Sequence, residues 1–398
     1  MTPEGRPMNV AFVITRADSM GGAQIHVLDL ANALLSRGHD VTVLVGGEGP
    51  FTAELTRKQI PFQSLRSLVR PLRPAADLSA VLEIRSALRK LQPDLVAAHT
   101  AKAGILARWA AALAGVPAVF TPHGWSIGDR ISPRQGSIFR LLERMSAHVC
   151  ARIINVCEYE RRLAKRYRIA PAAKLAAVHN GLPDIPADLL AQPDREPPRL
   201  IMVARFEQPK DHRTLLLGLS HLAQHDWKLD LVGDGPMQGE VMQIAANLGL
   251  APRVRFLGAR SDIAPLLANA QIFVLSSRSE AFPYSVLEAM RAGLPVVSSE
   301  VGGIAEAVNV GETGMLVPAK DSGALSRSLR RLITNPTLRV QMGEAGRRRF
   351  IDLFTIDKMV DRTLGVYREA VCQARGERKA GRLVQANQTI EMAEYKSK

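Results

Sequence analysis

The chain has 398 residues, of which 46% are hydrophobic and 23% charged, and it carries a formal net charge of +14. That length exceeds one ordinary core, and the composition excludes wholesale disorder, collagen and disulfide scaffolds. The three cysteines, Cys150, Cys157 and Cys372, form no Cys-x-x-Cys pair, which suits a reducing cytosol and gives no thiolate metal site.

In chain order, the run Val10–Thr15 predicts a strand. It stops at Arg16, too early for a signal peptide. Ala23–Ser36 predicts a helix with Gly38 beyond its end, and Asp40–Val45 a second strand. Then come a helix at Leu78–Leu91, a strand at Leu95–Ala98, a helix at Ala101–Ala114 and a strand at Ala118–Thr121. The apolar window 103–120 is broken by Arg108, Gly115 and Pro117. It falls short of the roughly 20 residues of a membrane span. The chain is therefore expected to be soluble and cytoplasmic.

Residues 182–199 hold five prolines and little apolar periodicity, which predicts a linker at 183–199. The alternation then resumes, with strands at Leu200–Val203, Lys228–Val232, Val254–Leu257, Ile272–Leu275 and Pro295–Ser298. Helical patterns include Ala264–Ala268 and Val286–Ala292, then Gly323–Ile333, Leu338–Phe350 and Ile356–Ala374. The expectation is two α/β domains, 1–182 and 200–354, a helix 355–374 returning to the first domain, and a disordered tail 375–398.

The charge is uneven: residues 1–185 hold 24 Lys and Arg against 14 Asp and Glu. Anionic small molecules or an anionic membrane surface suit this excess. No nucleic acid is expected, because no aromatic-rich sheet motif, zinc finger or basic repeat accompanies it. Arg66, Arg70 and Arg73 alternate with Leu65, Leu68, Val69 and Leu72, a pattern for an interfacial contact or for an ordinary packed loop.

Open parallel sheets bind ligands beyond the carboxyl ends of their strands, and the notable residues fall there. Gly21-Gly22 opens the first helix, where backbone amides can meet an anion or the glycines can simply make a turn. His123, between Pro122 and Gly124, could donate a hydrogen bond to a substrate; His99 has a similar placement. Arg205 and Lys210 share one strand-to-helix loop and could grip a diphosphate or stand exposed. Glu280 and Glu288 frame a strand-end loop and a helix start, where two carboxylates could hold sugar hydroxyls. Gly233 lies in a further strand-end glycine turn, Leu231-Val232-Gly233-Asp234-Gly235-Pro236.

Taken in order and spacing, Ala204-Arg205-x4-Lys210, the Gly233 turn, Val254-Arg255-Phe256-Leu257-Gly258, Glu280-x7-Glu288 and Gly302-Gly303-Ile304-x-Glu306 resemble the retaining glycosyltransferases of family 4. The resemblance covers about residues 8–372 and implies the GT-B fold, with two Rossmann-like domains facing across a cleft. It implies that Arg205 and Lys210 hold a donor diphosphate, Glu288 the ribose and Glu280 the donor sugar. Gly22, Gly233 and the amides around Phe282, Pro283 and Tyr284 would lie near phosphates and sugar, with His123 as the active-site histidine. Metal and cofactor are not expected. Ala281 stands where the family often has Gly, and Cys157 where Ser is common. His99-Thr100-Ala101-Lys102-Ala103-Gly104 and Thr121-Pro122-His123-Gly124-Trp125 are similar to the branch that assembles surface polysaccharides. They suggest His99, Lys102 and Trp125 on the acceptor side. Implied partners are a nucleotide-sugar donor, favouring UDP, a glycan or polyprenyl-diphosphate-linked acceptor, and an anionic membrane surface. Rival readings are a nucleotide-sugar 2-epimerase of the same fold and a catalytically silent binding protein.

Overall fold

The computed structural model of the chain describes residues 6–127 and 133–396. It divides into two compact units: Met1–Asn155, Arg161–Val178 and Val360–Lys398 form unit 1, and Val156–Glu160 with His179–Met359 form unit 2.

Unit 1 is built on β1 (Asn9–Ile14), β2 (Asp40–Gly46), β3 (Phe62–Leu65), β4 (Leu95–His99), β5 (Ala118–Thr121), β6 (Arg152–Asn155) and β7 (Leu175–Ala177). All pairings are parallel, in the order β3-β2-β1-β4-β5-β6-β7. The central strands are mostly apolar and almost wholly buried, as expected of a sheet covered on both faces. Right-handed crossovers put α1 (Gly22–Ser36) and α2 (Pro50–Arg57) on one face. They put α3 (Pro74–Leu91), α4 (Ala101–Ala114) and α5 (Pro133–His148) on the other, α3 against α4 and α4 against α5. Past the end of α1, Gly38 has φ +79° and its N–H reaches the Leu35 carbonyl, a left-handed stop suited to glycine.

α5 carries apolar residues on both faces, with Phe139 and Ala147 packed on the core. Its inner face carries Glu143, which pairs at 2.5 Å with the buried Arg108 guanidinium, itself 4.1 Å from the Phe120 ring centre. Burial pushes the Glu143 carboxyl up, against the opposing pull of Arg108. Its outer face exposes Ile138, Leu141 and Met145 at i, i+3 and i+7. α3 and α4 likewise expose Leu78, Leu82 and Leu113. In the loop before α3, Leu65 and Leu68 are buried, so of the expected interfacial leucines only Leu72 is exposed. The Glu83 carboxylate accepts from the Arg66 and Ser67 amides and fastens this loop to α3.

Unit 2 carries β8 (Arg199–Val203), β9 (Lys228–Val232), β10 (Val254–Phe256), β11 (Ile272–Leu275), β12 (Val296–Ser299) and β13 (Gly314–Val317), parallel in the order β10-β9-β8-β11-β12-β13. The helices are α7 (His212–Ser220), α8 (Gln238–Asn247), α9 (Ile263–Ala268), α10 (Tyr284–Arg291), α11 (Ile304–Ala307), α12 (Ser322–Ile333) and α13 (Pro336–Leu353). Residues 183–199, read as a linker, fall within unit 2. The fully buried Arg339 of α13 donates to the carbonyls of Pro193 and Arg195 and, at 2.8 Å, to the Glu196 carboxylate, tying the proline-rich stretch down. α14 (Ile356–Lys396) continues as helix through most of the segment expected as a disordered tail, which is rich in helix-forming Ala, Arg, Glu and Gln.

Candidate active site

In each unit the strand order reverses beside the first strand, between β1 and β4 and between β8 and β11. The chemistry-bearing residues gather at the carboxyl ends of those strands.

In unit 1, register aligns Ile14 with His99 and His99 with Thr121 along one sheet edge. His123, two residues past Thr121, is held at φ +59°, a conformation uncommon outside glycine. Its Nε2 lies 2.9 Å from His99 Nδ1. His26, from α1, sets its ring edge-on to His123 with centres 4.7 Å apart. His26 and His99 are buried, and His123 is partly exposed. Burial, followed by repulsion among the three rings, holds His99 and His123 well below the ordinary histidine value. One ring nitrogen from each lies within 4.8 Å of the others, so this is the one described group with donors to hold a metal ion. The His99–His123 hydrogen bond occupies one nitrogen of each of those two rings.

Gly22 begins α1, with Gly21 as its cap and the Gln24 side chain accepting from the Gly21 N–H. No acidic residue lies in the first turn, which leaves the positive end of the helix uncompensated. Two residues of the suggested acceptor side are used internally. Lys102 pairs with Asp77 and donates to the Pro71 carbonyl. Trp125 is buried, its indole N–H donating at 2.9 Å to Asn155.

In unit 2 the separate motifs pack on one another. A Cβ on Gly233 (φ +143°) would stand 2.1 Å from the Ala204 carbonyl oxygen, so the Gly233 turn lies directly on the Arg205 loop. A Cβ on Gly302 (φ +61°) would stand 1.9 Å from the Glu280 carbonyl oxygen, so the Gly302-Gly303 turn lies on the Glu280 loop. The loops from β8 and β11 meet through a bridge between Lys210 and Ser277. Glu280 accepts from both Lys210 Nζ and Ser277 Oγ at 2.5 Å. The Arg205 guanidinium is about half exposed, 3.2 Å from Glu207 and 4.0 Å from Asp234.

Pro283 caps α10, Tyr284 begins it, and Glu288 lies one turn on. Pro283 has no N–H, so amide donors at this helix start belong to its neighbours Phe282, Tyr284 and Ser285. The Phe282 side chain is buried and its carbonyl accepts from Asn180. Sequence reasoning quoted Glu306 only within a motif and missed its role. It accepts from the Glu158 and Tyr159 amides and at 2.8 Å from His179 Nε2. Burial alone would raise the Glu306 carboxyl, yet these bonds outweigh it and hold it below the usual range. His212, stacked 4.2 Å from Phe206, is pushed by burial and by nearby Lys210 down to about 4.

The geometry can be compared with known proteins. Residues 20–184 match the model of Glycosyltransferase Family 4 and residues 191–349 that of Glycosyl transferases group 1. A UDP-Gal:alpha-D-GlcNAc-diphosphoundecaprenol alpha-1,3-galactosyltransferase of Escherichia coli is 25% identical over 88% of this chain and 95% of its own. The lipopolysaccharide core biosynthesis glycosyltransferase LpsE of Rhizobium meliloti is 26% identical over 86% of this chain and 94% of its own. The crystal structure of Anabaena HepE in complex with UDP and glucose superposes with a TM-score of 0.76 at 22% identity. It covers 90% of this chain and 98% of that one. With a family 4 domain followed by a group 1 domain on two parallel sheets of Rossmann type, the chain belongs to the GT-B glycosyltransferases.

Proposed function

We propose that the protein transfers a sugar from a UDP-sugar to a hydroxyl of a lipid-linked or surface-glycan acceptor, with retention at the anomeric carbon and without a metal. The observation that carries this reading is the packing of the Gly233 and Gly302 turns, which gathers Arg205, Lys210, Glu280 and the start of α10 at the switch point of one sheet. In transfer, negative charge develops on the departing diphosphate. Arg205, Lys210 and the amides of Phe282 and Tyr284 are placed to meet it, with the positive end of α10 behind them. Glu280 and Glu288 take hydroxyls of the donor sugar and the ribose.

UDP and the lipid-linked acceptor are supported by the names of the Escherichia coli relative and of the HepE complex. The comparisons offer nothing for the epimerase reading. The test is a nucleotide-sugar screen that reads released nucleoside diphosphate, with lipid-linked saccharides as acceptors. Transfer from a UDP-sugar with retained anomeric configuration and full rate in chelator is expected. Epimerised donor, binding without turnover, or a rate restored only by magnesium or manganese would overturn the respective parts.

Among the described residues no helix is long and apolar enough to cross a membrane. We place the membrane contact on the outer rows of α3, α4 and α5, where Leu78, Leu82, Leu113, Ile138, Leu141 and Met145 are exposed among Arg85, Arg89, Arg140 and Arg144.

A further inference from the structure

The three-histidine cluster of unit 1 contains more information than the position of His123. The centres of the His99 and His123 rings are 5.1 Å apart and their planes differ by 26°. With Nδ1 and Nε2 at 2.9 Å, that separation is the hydrogen-bond length plus a ring radius at each end. The rings therefore meet edge to edge along the bond, the favoured hydrogen-bonding direction. Burial keeps both neutral, so each ring holds one N–H and one lone pair, and the shared contact needs one of each.

Two proton arrangements satisfy the contact. If His123 Nε2–H donates to His99 Nδ1, the second His99 nitrogen, Nε2, must carry a proton. That atom is buried and has no hydrogen-bond partner among the described residues. An N–H stranded there would lose its hydration and gain nothing. If instead His99 Nδ1–H donates to His123 Nε2, the buried His99 Nε2 keeps only a lone pair, the less costly orphan. His123 then carries its own proton on Nδ1, and His123 is the only ring of the three that is not fully buried.

We infer that His99 is a positioning residue that locks His123 in the Nδ1–H tautomer, so that His123 serves as a hydrogen-bond donor and not as a base. Its acceptor is an oxygen of the ligand at the carboxyl edge of this sheet, a sugar hydroxyl or a phosphate oxygen, which rests on the function proposed above. His26, edge-on to His123, confines the ring plane. No proton leaves the enzyme in this role: the donor N–H is shared with the ligand oxygen and retained.

The test is nitrogen-15 NMR of the full chain labelled at histidine, at neutral pH. The His99 and His123 resonances are assigned through His99→Asn and His123→Asn. The expected spectrum shows pyrrole-type Nδ1 and pyridine-type Nε2 in both rings. A His123 protonated on Nε2, or an imidazolium at either ring, overturns the inference. So does a zinc titration that shifts all three rings at stoichiometric metal, since the nitrogens would then be ligands.

Activity gives an independent arm. Asn places an amide N–H close to the Nδ1 position, so His99→Asn should keep transfer near wild type, whereas His99→Leu should lower kcat about tenfold or more with little change in donor KM. Equal rates for Leu and wild type would overturn the positioning role. The wild-type tautomer decides the matter even if His99→Leu fails to fold. A protein that shows the expected tautomers but transfers no sugar would refute the proposed function and leave the tautomer lock standing.

Discussion

Glu280 and Lys210 form one pair in the structure, although each was read from the sequence with a separate ligand to hold. Their substitutions should therefore couple. Glu280→Ala is expected to reduce transfer by about 2–3 kcal/mol in transition-state terms while UDP binding survives, because the freed Lys210 can turn wholly to phosphate. Lys210→Ala and Arg205→Ala should each weaken UDP binding by about 1.5–3 kcal/mol, Arg205 toward the lower end because it is half exposed. Titration calorimetry on the singles and on the Lys210–Glu280 double variant checks this, and strict additivity of that pair would contradict the coupling. A second prediction separates steric from conformational cost at glycine. Gly302→Ala meets the Glu280 carbonyl oxygen at 1.9 Å, whereas Gly258→Ala, at a similar φ of +67°, meets nothing within 4 Å. Gly258→Ala should cost about 1 kcal/mol from backbone strain alone, and Gly302→Ala clearly more, with loss of transfer as Glu280 is displaced. Urea unfolding of both, alongside turnover, reads the difference.

Among the elements, α5 was missed because apolar residues lie on both of its faces, Ile138, Leu141 and Met145 outside and Phe139 and Ala147 inside, so no single stripe stands out. α6 (Glu158–Arg166) read as a charge cluster, since six of its nine residues are basic or acidic with few apolar ones between. The short strands β3, β6, β7 and β13, of three or four residues each, were not read from the sequence. The exposed apolar row of α5 leads to a prediction for vesicles. Replacing Leu82, Leu113 and Leu141 together by Ser should reduce sedimentation with anionic vesicles and transfer to lipid-linked acceptor. Changing Arg66, Arg70 and Arg73 to Gln should mainly weaken the salt-dependent part, at roughly 1 kcal/mol per charge. Co-sedimentation of the leucine variant at the wild-type level would place the contact elsewhere.

For the whole molecule, the buried neutral histidines set the response to acid. His99 and His123 lie well below the ordinary value of 6.5 when folded, and His212 falls to about 4. Below 6.5 the unfolded chain takes up protons at these sites and the folded chain does not. Stability is therefore complete above that value and falls with pH through the window beneath it, by up to about 1.4 kcal/mol per pH unit for each ring. Unfolding in urea at pH 7.5, 6.5 and 5.5 should show this slope, and His99→Asn should flatten it if the variant folds. A stability that is flat over the range would contradict the burial of these rings as neutral groups.

By itself the sequence determined the class of fold and named most of the candidate site, but not His26 or the role of Glu306. The central strands are apolar enough to be legible one at a time, and Arg205, Lys210, Glu280 and Glu288 stand in a chemical order that needs no coordinates. Only the tertiary structure decided which of these side chains meet. The Lys210–Glu280 pair spans 70 positions and depends on β8 lying beside β11, and the His99–His123 bond depends on β4 and β5 pairing in a given register. The same packing gives Lys102 and Trp125 polar partners within unit 1. It bound the proline-rich stretch 183–199 to unit 2 through Arg291, Arg339 and Arg347, all more than 100 positions away. Such pairings are set by strand order and by the burial of polar groups that must then find partners. A pattern of residues read along the chain holds neither.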